Sequence, residues 1–495
     1  MRTESGFESK WKRRSLWALL FFALVHGLVS FPNHHQFRTY ALDLGLYTHA
    51  LWQYAHGTLA DCSLFLEVEQ PLLADHFDLY LPLLSPLVYV TGSWTLLIVQ
   101  WLAVLFGAWG VRRLALAMGA TEAAAFTGML VMLLFFGVLG AMAFDYHSNV
   151  LVAMLLPWFM LMLRIGRSLM AVIMFVLMLM GKESVGLWLG PVAFILATDP
   201  ALPSNRRWLS AALGVLGIAW SITVIGWLMP ALSAGSSYAH FDYGILGASV
   251  SDVPSALITR PLDLVAALFT DASGAKDGTS IKLEFWLMLL AAGGWSLIPQ
   301  WRYGLMALPL VAQKMWHDEP GKWSVIAHYG VELAPLVGIG VALAHRRLST
   351  DVGKAVSWVA VILSLSSSIR FMDRTVAYHD RSRIRIYQAQ HYVKGYDVPA
   401  VKHALAAIPL GASVSAQSPA VPHLVLRDRV YQYPIVRDAD YLVFLPQEGA
   451  YPLSAESLHD SIQALRKDPS WELFIETDGS VLFRRADGLD AVNGR

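Results

Sequence analysis

Charge is scarce in this sequence. Asp, Glu, Lys and Arg make up 15% of its 495 residues, whereas a soluble globule carries roughly 25%. A chain so poor in charge cannot cover its surface with solvated groups, so hydrocarbon is the solvent it fits. Basic and acidic residues balance at 37 each, and a net charge of zero offers nothing to attract nucleic acid. Cysteine occurs once, as Cys62, which excludes an intrachain disulfide and leaves helix packing to hold the fold. The nucleotide and hydrolase signatures are missing too: no P-loop, no G-x-G-x-x-G after a strand, no G-x-S-x-G and no H-E-x-x-H. ATP-driven transport by this chain alone therefore has no basis in the sequence. No internal repeat or low-complexity tract is present.

What remains is apolar. Hydrophobic residues make up 56% of the chain, and mean hydropathy is +0.48. A hydrocarbon core of about 30 Å needs roughly 20 apolar residues as helix, because lipid satisfies no backbone group. Suitable runs lie near 15–32, 93–111, 121–142, 148–164, 168–181, 185–199, 208–230, 283–299, 304–315, 329–344 and 354–370. They predict a mainly α, polytopic bundle of about eleven spans. The first run follows Lys10, Lys12, Arg13 and Arg14; without a clear A-x-A site after it, a retained helix fits better than a cleaved signal peptide. Residues 77–92 contain Pro82 and Pro86 and read as an interfacial or re-entrant helix.

Basic residues then set the orientation. With a cytoplasmic N-terminus, Arg112-Arg113, Arg164 with Arg167, Arg206-Arg207, Arg302 and Arg346-Arg347 all fall on the inner side. The opposite loops gather acids and histidines. The first, about residues 33–92, carries Asp43, Asp75, His76 and Asp78; the later ones carry Asp145, His147, Lys182, Glu183, His317 to Glu319, Lys322 and His328. After Arg370 the apolar runs stop. Residues 1–370 thus read as the membrane domain, and 371–495 as a small α/β domain on the outer face. Within it, 375–408 look largely helical. Ala412–Gln417, Arg429–Pro434 and Tyr441–Leu445 are β-rich. Ser457–Asp468 is an amphipathic helix, and Trp471–Arg485 a hairpin turning at Asp478-Gly479. The predicted location is the cell's inner membrane, with the C-terminal domain periplasmic or extracellular.

Each polar motif admits a bland reading beside a chemical one. Asp43 opens an apolar helical stretch and could simply cap it; at the membrane surface it could also take a proton from an attacking hydroxyl. Asp75-His76-Phe77-Asp78 offers carboxylate and imidazole to a divalent ion, Mg or Mn. Neighbours on an extended segment seldom ligate one ion, so a hydrogen-bond network competes with a metal held by Asp75, His76 and Asp145. Phe144-Asp145-Tyr146-His147 ends the third span, where polar residues often just meet headgroups; Asp145 could instead ligate a metal or orient His147. Lys182-Glu183 interrupts two short apolar runs, either as a self-neutralising pair or as a phosphate contact with its partner acid. His328-Tyr329, at the mouth of the tenth span, suits substrate binding better than His317 to Glu319 do. Arg38 is either an anion contact or a solvated loop charge, and Arg260 carries less information still.

The order of these motifs resembles the DUF2079 family of membrane proteins. The resemblance runs through Leu42-Asp43-Leu44-Gly45-Leu46-Tyr47, Trp52, His56-Gly57, Asp75-His76-Phe77 and Leu84-Ser85-Pro86-Leu87. It continues through Phe144-Asp145-Tyr146-His147, Lys182-Glu183, His328-Tyr329 and Leu333-Ala334-Pro335. In the tail it takes in Ala412 to Gln417, Val421-Pro422-His423, Asp438 to Tyr441 and Leu482 to Arg485. It implies the polytopic GT-C glycosyltransferase fold, a polyprenyl-phosphate sugar as donor, an acidic catalytic residue in the first outer loop, and short juxtamembrane helices over the site. Where the family pattern often has an acid after Lys-Glu, this chain has Ser184, one metal ligand fewer.

Asp43, Asp75, His76, Asp145 and His147 are therefore the expected catalytic set. Arg38, Lys182, Glu183, His328 and Tyr329 are the expected substrate contacts. Two other functions compete with transfer: a transporter or lipid flippase with an outer-facing polar path, and a non-catalytic scaffold. Against transport, the polar residues gather at one face rather than through the midplane, and no inverted repeat is evident.

Overall fold

The computed structural model describes residues 2–235, 238, 240–344, 350–377 and 381–486. Each of the eleven apolar runs falls on a helix. In order these are Arg2–His35, Thr95–Ala117, Glu122–Leu134 continued by Phe136–Ala143, Ser148–Ile165, Ser168–Leu179, Val185–Ala197, Ser204–Thr223, Gly278–Ala291, Trp301–Met315, Leu333–Ala344 and Thr350–Asp373. By length and composition, five described helical stretches can cross a membrane. They are Lys10–His35, Tyr80–Ala117, Ser148–Ile165, Ser204–Leu232 and Asp351–Asp373; a sixth is added if the pair Glu122–Ala143, bent by 43°, is one span. The bend sits at Phe135, whose extended backbone interrupts the helix.

The proline-bearing stretch is broken, as its prolines predict. It consists of Tyr80–Leu84, Ser85–Leu87, Val88–Thr91 and Gly92–Trp94 before the helix Thr95–Ala117 begins.

By compactness the chain forms two units: Met1–Ser30, Gln100–Leu228 and Tyr238–Arg385 make the first; Phe31–Val99, Met229–Ser237 and Ile386–Arg495 make the second. The change in composition near residue 371 therefore does not coincide with the division by contacts, because the first loop packs with the C-terminal chain.

In the first unit, glycines decide how closely helices approach. Gly186 and Gly190 lie one turn apart on Val185–Ala197, facing Gly214 and Gly217 of Ser204–Thr223. A Cβ on Gly186 would come within 1.9 Å of the Gly217 carbonyl oxygen, so only hydrogen fits there. In lipid, where apolar helices gain little by leaving one solvent for another, such close contact supplies the association energy. Gly186→Leu is expected to force this pair apart and to lower the thermal midpoint of the detergent-purified protein. The exposed Leu187→Ala change on the same helix should leave it unchanged, and equal midpoints for both variants would refute the packing role.

The segment after Thr350–Asp373 departs from expectation. Residues 375–408 are largely non-helical where described: one turn at Ala389–His391 and the helix Val398–Ala406. The reason is local. Arg381 donates to the carbonyl of Phe371, and Arg385 to those of Met372 and Asp373. These arginines fold back to satisfy the open C-terminal carbonyls of the preceding helix, which holds the chain in turns.

The second unit carries a five-stranded sheet built from β1 (Val414–Ala416), β2 (Val430–Gln432), β3 (Tyr441–Phe444), β4 (Trp471–Glu476) and β5 (Val481–Arg485), in the order β2-β1-β3-β5-β4. β1 runs parallel to β2 and β3, while β5 is antiparallel to β3 and β4. The predicted hairpin is thus β4-β5. The amphipathic helix Ala455–Leu465 lays Leu458 and Ile462 against Leu442, Phe444 and Phe483. The first loop joins this unit directly: Gln432 N–H donates to the Leu64 carbonyl at 2.7 Å, and Arg437 to that of Leu66 at 2.7 Å.

Candidate functional site

In the second unit, Asp43 lies in a single π-turn, Ala41–Gly45, that leads into the helix Leu46–Ala55. One inserted residue widens the turn, a device found at functional positions more often than in plain helix. Ala41, Leu44 and Gly45 are buried while Asp43 is half-buried. The turn is pinned to the C-terminal chain: Ala41 N–H donates to Ser418 Oγ at 3.1 Å, and a Cβ on Gly45 would meet Val421 at 3.0 Å. His49, buried one turn on, pairs with the Val425 carbonyl at 3.1 Å. A rigid frame therefore holds the half-buried Asp43. The cap position of the π-turn is Tyr40 rather than Asp43, and the Tyr40 side chain forms no cap bond.

Arg38 is buried, and its two terminal nitrogens donate to the carbonyls of Gln390 at 2.6 Å and His391 at 2.7 Å. It ties the first loop to the C-terminal chain, so its donors already have acceptors. Asp78 accepts from Tyr80 N–H at 2.9 Å and starts the helix there. Asp75 and His76 place Oδ2 and Nε2 3.7 Å apart, and the Tyr47 ring lies 6.0 Å from His76. They are two suitable donors for a divalent ion.

The first unit holds the second group. Gln100, wholly buried, organises the chain break before the helix Ser148–Ile165. Its amide nitrogen donates to the Ala141 carbonyl at 3.1 Å, and its oxygen accepts from His147 N–H at 2.9 Å. One side chain thus serves the end of one helix and the start of the next. Asp145, between them, is buried and receives Arg383 at 3.0 Å, with the guanidinium carbon 5.1 Å from the Phe144 ring centre. A carboxylate already paired in this way fits poorly as a ligand for the divalent ion.

His147 stacks on His328, ring centres 3.5 Å apart and planes within 17°, and Tyr329 lies 4.1 Å from His328. Lys322 donates to the Tyr329 hydroxyl at 2.7 Å and sits 4.5 Å from its ring centre. Lys314 and Glu332 form a buried pair at 3.0 Å, and Asn149 donates to the other Glu332 oxygen at 3.0 Å. Glu183 is buried; its carboxylate accepts from Tyr238 at 3.4 Å and its carbonyl from Ser221 at 2.6 Å. Burial first, then the neighbouring charge of Glu183, pushes the Tyr238 hydroxyl well above its ordinary range.

His328 is held well below the usual imidazole range, chiefly by burial, then by His147, Lys182, Lys322 and Lys314. Its Nδ1 has no hydrogen-bond partner among the described residues. A buried imidazole stays neutral while the unfolded chain binds a proton near pH 6.5, so stability is lost as pH falls below that value. The loss should approach about 1.4 kcal/mol per pH unit from this group. Thermal midpoints measured from pH 7.5 downward are expected to fall less steeply for His328→Phe than for the unaltered protein; parallel curves would contradict the assignment.

Sequence reading did not single out Gln100, Lys314, Glu332 or Arg383 as parts of this group. Lys314 carried a signal, a cation ending an apolar run; Arg383 carried none.

With this geometry in view, the family model for a predicted membrane protein, DUF2079, matches residues 33–482. The chain belongs to that family. Comparison with curated protein sequences gives no match. Among solved structures, this DUF2079 protein is similar to ArnT from Cupriavidus metallidurans bound to undecaprenyl phosphate, with 12% identity and a TM-score of 0.52 over 96% of this chain and 98% of that one. A second similar structure is the arabinofuranosyltransferase AftD from mycobacteria, with 16% identity and a TM-score of 0.44; the match covers 96% of this chain and 41% of AftD. The likeness shows that this DUF2079 protein shares the overall fold of ArnT, helical with a small C-terminal sheet.

Proposed function

We propose that this chain is an inverting glycosyltransferase. It moves a sugar from a polyprenyl-phosphate-linked donor to a hydroxyl acceptor at the outer face of the membrane. The observation that carries the reading is Asp43: a half-buried acid on a rigid turn in the first loop. The fold shared with a protein bound to undecaprenyl phosphate supports the donor class. The basic loops support placing the N-terminus in the cytoplasm and Asp43 on the far side.

In this reaction Asp43 takes the acceptor's hydroxyl proton as the oxygen bonds to the anomeric carbon. The bond from that carbon to the phosphate oxygen breaks, and polyprenyl phosphate leaves with the electron pair. Charge develops on the phosphate, where a preplaced cation acts most strongly. Lys182 is the residue assigned to it, with Lys322, Tyr329 and neutral His328 as neighbouring donors. Asp145 and His147 shape the site, the first through Arg383. Arg38 keeps a positioning role, because its donors serve backbone carbonyls. Asp75 and His76 are the residues that would hold a divalent ion, which when bound would offset phosphate charge.

The test is transfer by the purified protein in lipid nanodiscs supplied with a panel of undecaprenyl-phosphate sugars. Release of undecaprenyl phosphate with a new glycoside supports the reading. If the intact donor instead crosses sealed vesicles with no covalent change, the protein is a transporter.

A further inference from the structure

The long segment between the seventh and eighth helical runs is sparsely charged over 253–269 and folds as two short helices, Val253–Thr259 and Pro261–Ala267. One side of this hairpin is satisfied. Ala256 and Leu264 pack with Leu246, Phe241, Tyr243 and Trp316, and the Trp316 indole donates to the Leu264 carbonyl at 2.8 Å. The other side is open and apolar: Ile258 is 79% exposed and Leu262 81%, with Leu257, Val265 and Phe269 also exposed. In water, five large apolar side chains within thirteen residues would form a patch that soluble proteins avoid.

That face does not end with the hairpin. Phe269 stacks on Trp286, ring centres 5.2 Å apart, and the Trp286 indole donates to the Leu268 carbonyl at 2.9 Å. Trp286 belongs to the helix Gly278–Ala291, whose Leu283, Leu287 and Leu290 are likewise exposed. Lys282 fixes the junction. It is fully buried, and its ammonium donates to the carbonyls of Ala267 at 2.7 Å, Thr270 at 3.0 Å and Met315 at 2.7 Å. The hairpin is therefore bolted to a helix whose open leucine stripe, in a membrane protein, meets acyl chains. Trp286 has the amphipathic ring that favours the membrane interface. Arg260, exposed at the break between the two short helices, can extend to headgroups while its stem stays in the apolar layer.

We infer that Val253–Phe269 is a lipid-embedded interfacial hairpin, lying at the boundary of headgroups and acyl chains. Its occupant is the lipid surface, and the continuity with the leucine stripe of Gly278–Ala291 is what selects it. The inference does not depend on the transferase reading.

The full chain with Cys62→Ala, carrying Ile258→Cys or Leu262→Cys, is labelled with an environment-sensitive fluorophore and placed in phosphatidylcholine nanodiscs. Lipids brominated near the headgroup end of the acyl chains should quench both labels about two-fold or more, since interfacial helices bury their apolar face only ~5–10 Å deep. A label at Ser251→Cys should remain accessible to aqueous iodide and little quenched by the lipid. Iodide quenching of all three labels alike would overturn the inference. Labels at Ile258 and Leu262 that are shielded from both quenchers would assign the face to a second copy of the chain, and would overturn it as well.

Discussion

Asp43→Asn is expected to lower the rate of sugar transfer by about 10²–10⁴-fold, the range that a positioned general base contributes. The substitution keeps side-chain volume and one oxygen but removes the ability to accept a proton at neutral pH. The π-turn should survive, because Ala41, Gly45 and His49 fasten it to the C-terminal chain and the substitution leaves all three in place. Membrane insertion and the thermal midpoint should therefore stay close to those of the unaltered protein. The loss should fall on kcat more than on KM for the donor, since the base acts on the acceptor proton in the transition state. A variant within two-fold of the original rate would remove Asp43 from the reaction. A scaffold would show no transfer in either protein, and a transporter would show movement of intact donor in both.

The second large effect concerns stability. Arg383→Met takes the guanidinium from Asp145, a carboxylate with almost no solvent access. Breaking a buried ion pair from one side typically costs about 3–5 kcal/mol, because the remaining charge keeps its desolvation cost and loses the opposite charge. The thermal midpoint of the detergent-purified protein should drop markedly for Arg383→Met. It should recover in part for the double change Arg383→Met with Asp145→Asn, which leaves no charge behind. If the single and double variants melt together, the pair contributes little. Because Asp145 lies between the two chain ends that Gln100 holds, the single variant should also displace His147 from its stack on His328 and reduce transfer.

These two predictions differ in how far the sequence alone leads to them. Asp43 is legible in the sequence itself, as an acid opening an apolar helix in the longest of the loops facing away from the basic ones. The fold adds that its turn is a π-turn, braced by residues near 418–425. Arg383 is not legible in that way. It lies 238 residues from Asp145, in a stretch whose residues favour helix, and nothing local marks it as the partner of a buried acid. The same holds for Lys314 and Glu332, which come together only because the helix Trp301–Met315 and the loop before Leu333–Ala344 pack side by side. Arg38 shows the converse: a candidate anion contact by residue type, it is occupied by backbone carbonyls in the folded chain.

Scarcity of charge, with the apolar runs it leaves, determined most of the architecture by itself. Hydrophobic runs form helices in lipid because each run satisfies its own backbone, which is a local property that a sequence displays. The five strands and their hairpin were readable for a similar reason, since alternation and turn residues act over a few positions. Tertiary structure alone decided where the few charges went. An ionisable group in so apolar a chain must find a partner, and that partner is set by which helices touch rather than by neighbours in sequence. Hence the pairs Asp145–Arg383 and Lys314–Glu332, the stack of His147 on His328, and the grouping of the first loop with the C-terminal sheet emerged only from the folded chain.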